Sequence, residues 1–152
     1  MPVVARGRTG SGAGGLGLRL MAVMLGVFLI ATGIDKVEWL VDSSLLAQRL
    51  DAWLEGATPV SRWYIETLAR PGLPLFARLV PIAEVVAGAA LIAGFWTRLA
   101  AALALLVALN VHVASGSFAE WTFLRDGLGL PVLGGLLALA IGGSQLPISV
   151  RQ

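Results

Sequence analysis

Four long stretches of the chain contain almost no charged side chains, and this pattern limits the folds that the chain can adopt. The stretches are 20–34, 79–97, 99–119 and 127–150, and their only charged residue is Glu84. A helix needs about 20 predominantly apolar residues to cross the hydrocarbon core of a bilayer. Hydrophobic residues make up 57% of the chain and charged residues 13%, whereas soluble domains have about 45–50% and about 25%. The sequence therefore predicts an integral membrane protein.

The positions of charged and helix-breaking residues predict where each span begins and ends. We expect spans at about 16–38, 74–97, 99–117 and 127–147. Arg98 alone separates the second run from the third, so Thr97 and Arg98 should form a tight cytoplasmic turn between two helices. The fold class is all-α: a single membrane domain over 1–152 that forms a four-helix bundle, with a flexible cytoplasmic arm at 1–15.

A polar insert separates the first two spans and is too long for a hairpin turn. Residues 42–70, called the lid here, contain two amphipathic helical stretches, the second at 61–69. In the first, which Asp42 or a neighbouring serine can cap, Leu46 and Leu50 fall on one helical face. Amphipathic helices beside a membrane usually lie in its interface. We therefore predict that the lid lies on the outer leaflet, between spans 1 and 2.

The distribution of positive charge indicates an orientation. Short loops near span ends carry the informative Lys and Arg residues, and here these are Arg98 and the arginines of the N-terminal arm. The 35–78 segment carries a similar number of Lys and Arg, but long loops are a weaker signal. We expect a multi-pass protein of the bacterial inner membrane with both termini in the cytoplasm.

The available side chains exclude several kinds of site. The chain has no cysteine and one histidine, so thiolate zinc sites, iron–sulfur clusters and cysteine nucleophiles are excluded, and we predict no metal site. The segment Gly12–Gly17 matches G-x-G-x-x-G, but a dinucleotide site needs a preceding strand and a βαβ unit. We interpret it as part of the flexible arm. No basic run is present that could follow the phosphates of a nucleic acid.

Polar side chains from three spans are expected at a similar depth beneath the lid. They are Glu84 in the second span, Asn110 and His112 in the third, and Lys36 at the end of the first. Because a carboxylate inside a span faces a partner or a cavity, we predict an ion pair of Glu84 with Lys36, or secondarily with Arg78. Two interpretations stay open: a structural network, or a pocket whose His, Glu and Asn bind a quinone and relay its protons. No catalytic residue is assigned.

Small residues recur at four-residue spacing in the last span, at Gly134, Ala138 and Gly142. Rows of this kind let membrane helices approach each other closely. We expect them to pack inside the bundle, and a contact with a second subunit is the alternative.

Several short motifs occur in a characteristic order along residues 16–147. They are Gly33 followed by Lys36, Trp53…Pro59…Trp63-Tyr64 in the lid, Glu84…Gly88, and Gly94-Phe95-Trp96-Thr97-Arg98-Leu99-Ala100. Together they resemble the DoxX family, which includes the DoxD-type subunit of thiosulfate:quinone oxidoreductase. The resemblance implies a four-helix membrane bundle that is often encoded beside redox or respiratory partners. For the DoxD branch it implies electron transfer from sulfur compounds to quinone, but this chain has no cysteine and no large soluble domain.

These features favour a non-catalytic membrane subunit or accessory protein of a larger redox or energy-transducing complex. We expect no cofactor of its own, and membrane lipids and other integral membrane subunits as partners. One alternative is a quinone-binding subunit of a quinone-linked oxidoreductase, similar to thiosulfate:quinone oxidoreductase. A second alternative, based on the buried carboxylate alone, is a small-solute transporter or a membrane chaperone.

Overall fold

The computed structural model describes residues 11–125 and 127–143, and this part of the chain is helical without a β-strand. Its α-helices are α1 (Ser11–Ile34), α2 (Ser44–Glu55), α3 (Pro59–Tyr64), α4 (Leu73–Ala93), α5 (Thr97–Ser115), α6 (Thr122–Arg125) and α7 (Leu130–Gly142). A π-helical turn, Ile65–Ala69, continues α3, and 3-10 turns lie at Val37–Leu40 and Ser117–Ala119. The fold is all-α, as the sequence predicts.

Within the described part of the chain, three helices are long and apolar enough to cross a bilayer: α1 from residue 14 to 34, α4 and α5. The fourth apolar helix, α7, has 13 residues, and the predicted continuation of its span to residue 147 lies outside the described residues. Large apolar side chains along the outward faces of these helices are exposed, for example Met24, Val86 and Leu106. Such a surface is suited to contact with lipid. The chain is a multi-pass membrane protein.

The four apolar helices form a closed bundle in which each helix has two neighbours. Helix α1 packs against α4 and α7, and α5 packs against the same two helices. The interior is filled by small and aliphatic side chains, among them Ala22, Leu91, Ala101 and Leu136, none of which is exposed. Alanine at these positions lets neighbouring helices approach closely, which is how membrane helices gain van der Waals contact.

Helices α1 and α4, which run antiparallel, approach each other closely at their glycines. A β-carbon added to Gly88 would lie 2.6 Å from the carbonyl oxygen of Gly26, and one added to Gly26 would lie 2.7 Å from that of Gly88. Seven residues further along α1, a β-carbon at Gly33 would lie 3.0 Å from the carbonyl oxygen of Pro81. The two backbones touch at both levels, and only glycine fits on α1.

The predicted row of small residues in α7 has a different environment from the one expected. Gly134 faces open space, whereas a β-carbon at Gly142 would lie 3.2 Å from Leu18 of α1. Ala138 is half-buried. The row winds from the outer surface into the bundle because four-residue spacing drifts by about 40° per step on a helix of 3.6 residues per turn. It therefore does not form one continuous packing face.

The lid folds back onto one end of the bundle and has its own apolar core. Leu46 and Leu50 of α2 and Ile65 of the π-helical turn are buried against Ala77 of α4 and Ala114 of α5. The amphipathic pattern of the sequence correctly identifies Leu46 and Leu50 as the buried face of α2. This face contacts protein, and Trp63 on the far side of the lid is 58% exposed.

Two local interactions determine where the lid helices begin. The Asp42 carboxylate accepts a hydrogen bond of 2.9 Å from the Ser44 backbone N–H, and hydrogen bonding with Ser44 holds the pKa of Asp42 below its ordinary value. Thr58 caps α3 by accepting from the Ser61 N–H at 3.2 Å. The second lid helix therefore begins at Pro59, two residues before the predicted start, since proline suits the first turn of a helix.

The two ends of α1 also differ from the prediction. The helix begins at Ser11, inside the segment expected to be a flexible arm, because glycine weakens a helix but does not forbid it. Residues 1–10 of that arm lie outside the described residues. The helix ends at Ile34 rather than near residue 38, and the chain turns there to place Lys36 against α4.

A substitution at the α1–α4 contact tests this packing. Gly88→Ala should destabilise the protein by about 1–3 kcal/mol, because the added methyl group overlaps backbone that cannot rotate away. Gly134→Ala is the matched control: its methyl group enters open space, so helix propensity alone should leave it neutral or slightly stabilising. Thermal unfolding in a mild detergent measures both, and equal stability of the two variants would contradict the close approach.

Candidate functional site

An ion pair between α1 and α4 lies at the end of the bundle that the lid covers. Lys36 Nζ lies 2.7 Å from Glu84 Oε2 and 3.0 Å from Oε1, and it also donates to the Thr32 carbonyl at 2.9 Å. An ammonium group has three hydrogens, and the three contacts use them all. Glu84 is buried, with 9% of its side chain exposed, against 20% for Lys36. The structure therefore brings together the two residues that the sequence analysis pairs.

Arg78, the second choice of partner for Glu84, makes no ion pair among the described residues. It is exposed and lies six residues before Glu84, so it points away from the face that carries the carboxylate. Glycine at position 33 allows α1 to reach that face, because a β-carbon there would lie 3.2 Å from Cβ of Glu84. The close approach of the two helices thus positions the ion pair.

A cavity of about 460 Å³ opens beside this ion pair and is called the larger cavity. Lys36, Glu84 and His112 border it, together with Trp53 and Arg49 of the lid. Its remaining walls are mostly apolar and include Phe28, Leu29, Val107, Val111, Phe123 and Val132. Three of the four polar residues predicted to converge beneath the lid therefore do so.

Asn110, the fourth, borders a different space. It lines an adjoining cavity of about 300 Å³, the smaller cavity, together with Tyr64. Lys36, Arg49 and Trp53 border both cavities. Asn110 and His112 are separated because two residues along a helix correspond to about 200° of rotation. Their depth follows from counting along α5, whereas the cavity that each faces depends on its azimuth.

His112 is held by its own helix and by two aromatic rings. Its Nδ1 lies 2.7 Å from the Ala108 carbonyl oxygen. Because a carbonyl can only accept, Nδ1 carries the hydrogen of this bond, which leaves Nε2 as the acceptor of a neutral ring. Phe118 and Phe123 pack on the ring at centroid distances of 5.5 and 5.4 Å. The sequence pattern does not predict these contacts, because both phenylalanines follow α5 in a segment with irregular spacing.

Side-chain hydrogen bonds attach the lid to α5. Asn110 Nδ2 donates to the Tyr64 hydroxyl oxygen, and Ser61 Oγ donates to the Val113 carbonyl at 2.9 Å. Burial raises the pKa of Tyr64 above its ordinary value of 10.0, and the hydrogen bond from Asn110 partly offsets this rise. A role for Tyr64 opposite Asn110 was missed, although a tyrosine on the apolar face of a lid helix needs a partner for its hydroxyl group.

The family model described as DoxX matches residues 15–116, more than half of the chain. The chain belongs to the DoxX family. No curated protein and no solved structure matches it. The matched part of this DoxX protein runs from α1 through the lid to the end of α5. It includes Lys36, Tyr64, Glu84, Asn110 and His112, so every polar residue discussed above lies inside the matched region.

The turn between α4 and α5 lies at the opposite end of this DoxX protein. Gly94 and Trp96 have left-handed backbone conformations, with φ of 72° and 45°, which reverse the chain within a few residues. Thr97 begins α5 and is fully buried, and its hydroxyl has no hydrogen-bond partner among the described residues. Arg98 is exposed and donates through Nε to the Ala140 carbonyl at 3.1 Å. The turn is remote from both cavities, and the bond from Arg98 joins α5 to α7.

A double-mutant cycle tests the ion pair of this DoxX protein. Lys36→Ala or Glu84→Ala alone should cost about 3 kcal/mol of unfolding free energy, because each leaves a poorly solvated charge unpaired. The double variant should lose less than the two single losses combined. The exposed pair Arg62–Glu66, at 3.8 Å, is the matched control and should show a coupling of about 0–1 kcal/mol. Strictly additive losses at Lys36 and Glu84 would contradict the pairing.

The pKa of Tyr64 can be measured directly because the chain contains one tyrosine. In the folded protein its phenolate absorbance should appear only above pH 10.0, and in the denatured chain at about pH 10. The unfolded state ionises first, so stability should fall as pH rises through 10. Asn110→Leu, which removes the donor to the phenolate, should raise the folded pKa further. Identical titrations of the folded and denatured chain would contradict the burial of this hydroxyl.

Proposed function

We propose that this DoxX-family protein is a non-catalytic membrane subunit or accessory protein of a larger redox or energy-transducing complex. One observation supports this role most directly: the polar side chains beneath the lid are engaged by other groups of the same chain. Glu84 binds Lys36, His112 binds a carbonyl of its own helix, and Asn110 binds Tyr64. These contacts connect α1 to α4 and the lid to α5.

These contacts of Glu84, His112 and Asn110 favour a structural network over a catalytic site. An acid–base catalyst needs a proton-transfer group within hydrogen-bond reach of a substrate. The Glu84 carboxylate instead receives two hydrogen bonds from the Lys36 ammonium group, which has no hydrogen left to donate. The arrangement favours a rigid bundle end to which another subunit can bind. Family membership supports the membrane setting of this role.

Purification from native membranes in a mild detergent tests the proposal. We expect the protein to co-purify stoichiometrically with an integral membrane subunit whose complex carries redox cofactors. Deleting this chain should reduce the amount of assembled complex, and expressing Lys36→Ala in its place should restore the complex only partly. Wild-type protein that purifies alone, together with normal complex levels in the deletion strain, would overturn the proposal.

A second candidate function, a quinone-binding subunit, is favoured by the larger cavity. Its volume of about 460 Å³ lies within the range of about 300–1,000 Å³ usual for small-molecule sites. Its walls are largely apolar, and Nε2 of His112, the ring nitrogen that does not bond the Ala108 carbonyl, is available for a hydrogen bond with the head group of a quinone or quinol. A partner protein would have to supply the electrons for the reduction of the quinone.

Quinone extraction separates this candidate from the purely structural role. Val107 borders only the larger cavity and is half-buried, so Val107→Phe should fill it. Its neighbour Leu106 is 62% exposed, which makes Leu106→Phe the matched control. If quinone occupies the larger cavity, quinone co-purifying with the complex should fall about tenfold in Val107→Phe and stay unchanged in Leu106→Phe. Absence of quinone from the wild-type complex would overturn this candidate and leave the structural role standing.

We further propose that the protein lies in the bacterial inner membrane with the α4–α5 turn and both termini in the cytoplasm. Arg98 in this short turn supports the orientation, because Lys and Arg of short loops are retained on the cytoplasmic side. A reporter fused after Gln152 should then be active inside the cell, and one inserted at the exposed Gly56 of the lid should be active outside. The reverse pattern would invert the orientation.

A further inference from the structure

One lid arginine differs from the others in having no partner among the residues that the structure describes. Arg62 donates to the Leu54 carbonyl and lies 3.8 Å from Glu66, and Arg70 pairs with Asp51. Arg49 makes no hydrogen bond or ion pair within the described part of the chain, although it lies on the same small lid. It is exposed, yet it borders both cavities. Arg49 therefore lies at a rim, exposed on one side and bordering the cavities on the other.

The smaller cavity has an unbalanced charge. Lys36 and Arg49 border it, and no acidic side chain is among the described residues that line it. The charge of Lys36 is neutralised by Glu84 at 2.7 Å, so Arg49 supplies the charge in excess among the side chains that line this cavity. Glu84 itself borders only the larger cavity. An anion inside the smaller cavity would meet a guanidinium and no lining carboxylate, whereas Glu84 and Glu120 border the larger cavity on the other side of Arg49.

The interior of the smaller cavity is apolar and has a further hydrogen-bond donor. Its walls include Trp39, Leu46, Leu50, Trp53, Phe76 and Val80. The Tyr64 oxygen accepts from Asn110, and its own hydrogen has no acceptor among the described residues. Burial favours the protonated form of this hydroxyl group. The cavity thus combines a cationic rim, a phenol donor and an aromatic and aliphatic interior.

We infer that the smaller cavity binds an amphiphile that has one anionic headgroup and an apolar chain, with the headgroup at Arg49 and the chain among the apolar lid residues. A small inorganic anion does not fit as well, because the apolar walls would remove its hydration without replacing most of its hydrogen bonds. A neutral amphiphile would gain nothing from Arg49. A carboxylate or a phosphate can each pair with a guanidinium in two parallel hydrogen bonds.

This inference does not depend on the proposed function. The structural role concerns the groups that bind one another beneath the lid, and the quinone candidate concerns the larger cavity beside Glu84 and His112. The amphiphile site takes its charge from Arg49, which makes none of the contacts of the structural network and is not a group on which the quinone candidate relies for binding, although the site shares Tyr64 with that network.

Native mass spectrometry of the full chain in a neutral maltoside detergent tests the site. The probes are decanoic acid and decyl phosphate, which carry the anion on the same chain, and decanol, which is neutral. Inorganic phosphate is added separately as a competitor. We expect at least one of the two anionic probes to be retained about tenfold or more above decanol, since hydrogen bonds to charged groups are roughly twice as strong as neutral ones. Inorganic phosphate should not displace it.

Arg49→Gln should lower retention of the anionic probe about tenfold, whereas Arg49→Lys, which keeps the charge, should restore part of it. Arg62→Gln is the matched control: it removes the same charge from an exposed lid position outside both cavities, and retention should be unchanged. Thermal unfolding without ligand should be the same for both Gln variants, which shows that the lid is folded.

The two anionic probes identify the source of the headgroup. Retention of decanoic acid points to a free fatty acid, and retention of decyl phosphate points to a phospholipid or another alkyl phosphate. Equal retention of decanol and the anionic probes would overturn the inference. So would equal loss in Arg49→Gln and Arg62→Gln, or displacement of the probes by inorganic phosphate.

Discussion

The pairing of Lys36 with Glu84 is the interaction on which the covered end of the bundle depends. A carboxylate within an apolar helix is stable only if another charge or several donors meet it. Here Lys36 can reach it because α1 ends at Ile34 and because glycines let α1 touch the backbone of α4. Helix termination, close packing and electrostatics are therefore parts of one arrangement. The lid covers this end of the bundle, where little of the Glu84 side chain is exposed.

The architecture could be predicted from the sequence because each apolar run is long and its boundaries are abrupt. The lid core could be predicted from a different signal, since Leu46 and Leu50 repeat at helical spacing over a short segment. Position along the membrane normal is also readable, because a helix rises about 1.5 Å per residue. That arithmetic put Lys36 and Glu84 at matching depths.

What the sequence did not reveal is mostly a matter of rotation around helix axes. Asn110 and His112 have similar depths but face different cavities, and Gly134 faces open space although its spacing resembles a packing motif. The crossing at Gly26 and Gly88 depends on which faces of two distant segments meet. The pairing of Tyr64 with Asn110 could not be predicted for the same reason, because it depends on which faces of the lid and α5 meet. Local periodicity describes one helix, whereas azimuth is decided by the other helices of the bundle.

At the end of the bundle opposite the lid, two arginines bind carbonyl oxygens of other helices. Arg19 donates to the carbonyls of Leu91 and Ile92 near the end of α4, at 3.0 and 2.5 Å, and Arg98 donates to Ala140 of α7. Arg98, whose place near a short turn supports the proposed orientation, is thus also a group that joins two helices of the finished bundle. Charge reversal at either position would remove these bonds, because a carboxylate cannot donate to a carbonyl oxygen. The helices at this end are therefore joined by bonds that need no charged partner on the accepting helix, since the C-terminal end of every helix presents free carbonyl oxygens.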